Sequence, residues 1–197
     1  MKNNALFIQR FAAFIIDIMI VSLIASFIST PFINASNSEK LTKQSSELVE
    51  KVMAGEIDQK TYIKEASVIT YQIDKNNALY TIINIIFGFV YFVIFQFYKK
   101  GQTIGKQIFK IKVDSNDGVL NINQMIARGL LIDMILFDLI RFAFCMFGSS
   151  KTYFLGYSSV MMVEIIVLSL CGFMVMFKKD RRGLHDILCN TKVVNVK

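Results

Sequence analysis

Six ionisable side chains and one amide fall inside stretches of this sequence that are otherwise apolar: Arg10, Asp17, Asn84, Asp133, Asp138, Arg141 and Glu164. An ionised carboxylate at bilayer depth costs about 2.5–3.5 kcal/mol on insertion scales, so each needs a counter-charge, a wet crevice or a proton. Such groups can bind a proton or a cation reversibly, because burial raises proton affinity while a neighbouring guanidinium holds a carboxylate ionised. Asp17, Asp133, Asp138, Glu164, Arg141 and Asn84 form the candidate ion or proton path. In that scheme Asp17 and Asp133 alternate between protonated and cation-bound states, with Arg141 keeping Glu164 or Asp138 ionised. The competing reading is structural, with salt bridges and amides holding helices together.

The elements that must position these residues are long apolar runs. Hydrophobic residues make up 54% of the 197, and 18 are phenylalanine. They concentrate in Phe11–Ile33, Ala78–Tyr98, Gly129–Gly148 and Tyr157–Phe177, each long enough to cross a bilayer core. The expected fold is an all-α membrane protein with four transmembrane helices. Ser26, Ser29 and Pro31 make a weak cleavage site, so the first run is expected to remain as a permanent helix. Arg10 and Asp17, seven positions apart, then share one face of it.

The net charge of +7 is first an orientation signal in such a chain. Lysines and arginines precede the first run, follow the second (Lys99, Lys100, Lys106, Lys110, Lys112, Arg128) and follow the fourth (Lys178, Lys179, Arg181, Arg182). The connection between the third and fourth carries only Lys151. Both termini are expected in the cytoplasm, in one membrane domain over 1–197.

Residues 34–77 form an extracytoplasmic insertion. There Ser36–Lys43 reads as a polar linker, Leu48, Val49, Val52 and Met53 as a short amphipathic helix ended by Gly55, and Asp58 as the cap of a second helix. In the cytoplasmic loop 99–127, Ile108–Val113 alternates as a strand, with Asn116-Asp117-Gly118 as the turn of a small hairpin. Asn121 or Asn123 caps the next helix. In the tail 178–197, Thr191–Val196 alternates likewise and is a partner for Ile108–Val113. Counting ~1.5 Å per residue puts Asn84, Asp138, Arg141 and Glu164 in one polar layer, with Asp17 and Asp133 nearer the cytoplasm.

Gly101–Gln107 is too short for a phosphate loop and has Gln107 where a magnesium-binding hydroxyl belongs. His185 is the only histidine, which excludes a His-based metal cluster, and beside Asp186 it reads as a structural hydrogen-bonder. Cys145 and Cys171 lie in helices and Cys189 in the tail, so no disulfide framework is expected. No nucleophile–base pair, metal-ligand spacing or cofactor fingerprint points to an enzyme. No catalytic residue, metal, cofactor or nucleic-acid partner is expected.

Arg10 with Asp17, the run Gly101-Gln-Thr-Ile-Gly-Lys106, Arg128, and Gly183-Leu-His-Asp186 followed by Thr191-Lys-Val-Val194 resemble the RDD family of bacterial membrane proteins. The family is named for one arginine and two aspartates, matched here to Arg10, Asp17 and Asp186. The resemblance spans nearly the whole chain, apart from residues 34–77 and the polar residues of the third and fourth runs. It implies a multi-pass protein of the bacterial inner membrane. It also implies transport of a ligand, and sodium/proton exchange in some members. The expected partners are the lipid bilayer, sodium ions or protons, and a second copy of the chain, since four spans are few for a transporter. The alternative function is a non-catalytic scaffold or regulatory subunit that binds another membrane protein, in which Arg10 simply ties Asp186 to the base of the first helix.

Overall fold

The computed structural model describes residues 4–32, 35–133 and 135–196. Ile33 and Asn34, which bound the first apolar run and the insertion, lie outside them. Helix α1 is Phe7–Ser29, continued by a 3-10 turn over Thr30–Phe32 at Pro31. The hairpin that follows is α2 (Ala35–Met53) and α3 (Gln59–Asn76), and α4 covers Ala78–Tyr98. Next come a short helix α5 (Ile104–Ile108), strand β1 (Ile111–Ser115), and helices α6 (Ile122–Ile132) and α7 (Ile135–Phe147). The long α8 (Ser150–Phe177), the short α9 (Leu184–Leu188) and strand β2 (Thr191–Asn195) complete the fold.

Among the described residues, three helices are long and apolar enough to cross a membrane: Phe7–Phe32, Ala78–Tyr98 and Ser150–Phe177. Their outward faces carry Phe11, Met19, Leu23, Phe27, Met162, Ile166 and Phe173, all exposed. That surface suits hydrocarbon rather than water. The third expected span, Gly129–Gly148, is divided. Asp133 ends α6 outside the helical region (φ −90°, ψ 17°), and α7 begins at Ile135. At ~1.5 Å per residue the 13 residues of α7 reach about 20 Å, short of a bilayer core of about 30 Å.

Helix α1 packs on α4 and α5, α4 on α7, α7 on α8, and α3 on α8. The sheet closes one end of the bundle, here called the base, with β1 and β2 antiparallel and Val113 opposite Val193. Asn4 bridges Val194 on the other side of β2, and the Ala5 amide donates to the Val193 carbonyl at 2.9 Å. Ala5, Ile111, Val113, Met125, Val193 and Val194 have almost no exposure, so the best-packed core sits at the base.

Two local expectations change. Residues 36–43 are helical, extending α2 back to Ala35, because they contain no glycine or proline to stop a helix. Asp58 caps α3 as its position suggests, accepting from the Thr61 amide at 3.1 Å. The turn at Asn116-Asp117-Gly118 joins no hairpin. β1 pairs with β2 instead, and Asn121 caps α6 while Gln124 returns a hydrogen bond to its amide.

Candidate functional site

The charged residues gather in two places. At the base, Gly183 caps α9, whose third residue, Asp186, points back into the core, where the carboxylate is wholly buried. Asp186 accepts from Arg10 Nη1 at 2.7 Å, from Arg128 Nη1, and from the Gly183 amide at 3.1 Å. Arg10 also donates to the Arg181 carbonyl, and Arg128 to Thr191 Oγ1, both at 2.7 Å. Arg182 donates to the Thr191 and Asp186 carbonyls. One carboxylate therefore joins the first helix, α6, α9 and the last strand.

Burial alone would raise Asp186, but Arg128, His185 and Arg10, with the hydrogen bond from Arg128, overcome it and hold the carboxyl well below the usual range. His185 shifts down to about 3, first by burial and then by repulsion from Arg128, so its imidazole is neutral near pH 7. It is a structural neighbour of Asp186, with Nε2 at 3.4 Å from Oδ1.

Two turns further along α1 from Arg10, Asp17 is 1% exposed and both of its oxygens are occupied. Oδ1 accepts from the Tyr91 hydroxyl at 2.6 Å and the Gly105 amide at 2.8 Å, and Oδ2 from Thr103 Oγ1 at 2.5 Å. Tyr91 lies in a π-helical segment of α4, Val90–Phe95, whose extra residue per turn changes which side chains face α1. Thr103 caps α5, accepting from the Lys106 amide. Gly105 has no alternative, since a Cβ there would stand 2.2 Å from the Ala13 carbonyl and 2.9 Å from the Asp17 carboxylate. Gly101, at φ +88°, turns the chain out of α4, where a Cβ would strike the Val113 carbonyl at 2.1 Å. The spacing of Gly101-Gln-Thr-Ile-Gly105 is thus the spacing of a clasp around α1.

The RDD family model matches residues 4–190. The chain belongs to the RDD family. No curated protein and no solved structure matches it significantly. In this RDD protein Arg10 and Asp186 meet directly, whereas Asp17 bonds to α4 and α5. Arg128 and Gly105, to which the sequence alone assigns no partner, are structural equals of the named three.

Lys106 and Asp133 lie close enough to act on each other and on Asp17 electrostatically. Burial lowers the Lys106 ammonium, and Asp133 and Asp17 oppose that shift.

The second polar centre lies within the bundle. Arg141 Nη1 donates to Glu164 Oε2 at 2.5 Å, bridging α7 to α8, and Arg141 Nη2 pairs with Asp138. The guanidinium stands over the Tyr157 ring, 5.7 Å from its centroid. A cavity of about 120 Å³ opens here, lined by Asp74, Asp138, Arg141, Cys145, Tyr153 and Tyr157 among others. Asp74, from α3, accepts a hydrogen bond from Tyr153. Burial pushes the Asp74 carboxyl up, against that hydrogen bond. Asn84 does not join this centre; its amide donates to the Tyr80 carbonyl in its own helix at 2.7 Å. Sequence spacing identifies the Asp138–Arg141 pair. Asp74 and Tyr153, 79 positions apart, give no local signal.

Proposed function

We propose that this RDD protein is a multi-pass protein of the cell membrane with both termini cytoplasmic, and that it moves a small cation or proton through the polar centre between α3, α7 and α8. The observation that carries this reading is the cavity at Arg141. Asp74, Asp138 and Arg141 line a space of about 120 Å³, and Glu164 pairs with the same guanidinium from α8, so three carboxylates share the neighbourhood of one cation. At roughly 30 Å³ per water such a space holds a few waters or one partly hydrated ion. The third apolar run is broken between α6 and α7, and irregular backbone at membrane depth is tolerated where it is buried in protein or lines a polar space. Asp17 and Asp133 then leave the transport path. Asp17 serves the architecture, since three donors already occupy it.

The test is sodium- or proton-driven flux in vesicles reconstituted with the purified chain. Flux that persists in Asp74→Asn with Asp138→Asn would reject this centre. The second reading is a membrane scaffold, favoured by the complete pairing of Asp17 and Asp186. A stable heteromeric membrane partner together with flux-free vesicles would support it.

A further inference from the structure

Helix α5 has two faces with different neighbours. Gly105 presses on α1, and the residues around it clasp Asp17. Ile104 and Ile108, one turn apart, point the other way and are 38% and 58% exposed. Immediately before them Tyr98, at the end of α4, is 78% exposed. Lys99, Lys100 and Lys110, which flank this strip in sequence, are exposed, and Lys99 Nζ lies 5.9 Å from the Phe95 ring centroid. Among the described residues none of the three has a carboxylate partner. The acidic residues nearby in sequence are engaged elsewhere: Asp114 faces Lys112 and Asp117 accepts from Asn190. Lys100 and Lys110 both have positive φ, at 55° and 51°, at the turns that enter and leave this segment.

We propose that the outer face of α5 is a seat for an anionic phospholipid. Tyr98, Ile104 and Ile108 would meet the acyl–headgroup boundary and Lys99, Lys100 and Lys110 the phosphate. The occupant follows from complementarity: an unpaired cationic trio beside apolar side chains, at the end of a bilayer-length helix, matches a molecule with an anionic head and a hydrocarbon tail. The same five-residue helix carries the Asp17 clasp on its inner face, so a lipid bound outside holds the clasp closed. The proposal rests on α4 spanning the bilayer and is independent of transport.

The test uses the full chain in nanodiscs or detergent with phosphatidylglycerol or phosphatidylcholine, reading bound lipid by native mass spectrometry and stability by thermal unfolding. The wild type is expected to retain phosphatidylglycerol preferentially and to unfold at a higher temperature in its presence. Replacing Lys99→Gln, Lys100→Asn and Lys110→Asn should weaken that preference on the order of 100-fold, at about fivefold per charge. Asparagine is chosen at the two positive-φ positions because it tolerates them. Lys178→Gln with Lys179→Gln, at the end of α8, should leave most of the preference intact. Equal retention of the two lipids by the wild type overturns the proposal without any variant. Equal losses from both variant sets also overturn it, since the attraction would then be diffuse. Glycerol phosphate reproducing the full effect would overturn it in favour of a free-phosphate site.

Discussion

Arg10 and Asp186, 176 positions apart, meet at 2.7 Å in the base of the bundle, where Arg128 completes a buried arginine–aspartate–arginine triad. Removing the carboxylate leaves two guanidinium groups facing each other without compensation. Breaking a buried pair in this way costs about 3–5 kcal/mol. Asp186→Asn is therefore expected to lower the unfolding midpoint more than either Arg10→Gln or Arg128→Gln, as measured by thermal unfolding in detergent. An equal or smaller loss would show that the triad holds little of the base together.

The Asp17 clasp makes a graded set of predictions. Tyr91→Phe removes the hydrogen bond that the hydroxyl donates to Asp17 and the one it accepts from the Ile104 amide, and should cost about 1.5–3 kcal/mol. Gly105→Ala must push α5 off α1, because the clash is with the Ala13 backbone and not with a flexible side chain. Its expected cost is at least as large, about 3 kcal/mol. Denaturant midpoints of the two variants check the order.

His185 supplies an acid-sensitive term. Its folded-state value, about 3, lies below the ordinary value of 6.5. The unfolded chain therefore binds the proton first, and stability falls as pH drops from about 6.5 towards 3. Asp186, also depressed, contributes stability that is present above the ordinary carboxylate value and lost only in stronger acid, so it adds nothing to the slope near neutrality. His185→Gln should flatten the dependence of the unfolding midpoint between pH 6.5 and 4.5. An unchanged slope would exclude His185 as its source.

Arg141 bridges two helices through Glu164, whose side chain is 8% exposed. Arg141→Leu should destabilise by about 3–5 kcal/mol by leaving Glu164 unpaired at depth, and Arg141→Leu with Glu164→Leu should recover most of that loss. A double-mutant cycle reads the coupling directly. Additive losses would mean that the two side chains do not depend on each other.

Residue patterns reveal much of this architecture. Length and hydropathy mark the three bilayer-long helices, Asp58 and Asn121 mark the starts of α3 and α6, and the alternation at Thr191–Asn195 anticipates a partner in β1. The break inside the apolar run Gly129–Gly148 is not legible there, because periodicity cannot separate one long helix from two short ones. The break rests on Asp133, which ends α6 where a continuous span would need another helical residue. Depth counting fails for Asn84 in a similar way. It fixes a height along a helix but not whether an amide turns to a neighbour or back to its own backbone, as this one does. The clasp was hidden for a third reason. Thr103 and Gly105 carry no charge, and their role depends on a helix 88 positions away from Gly105.

Pairing the beginning of the chain with its end has a consequence for biosynthesis. Arg10 emerges from the ribosome 176 residues before Asp186. At 5–20 residues per second it waits roughly ten to thirty seconds for its counter-ion. In that interval α1 must keep the guanidinium hydrated at the water boundary, and the nascent chain cannot lock until its final strand has been made.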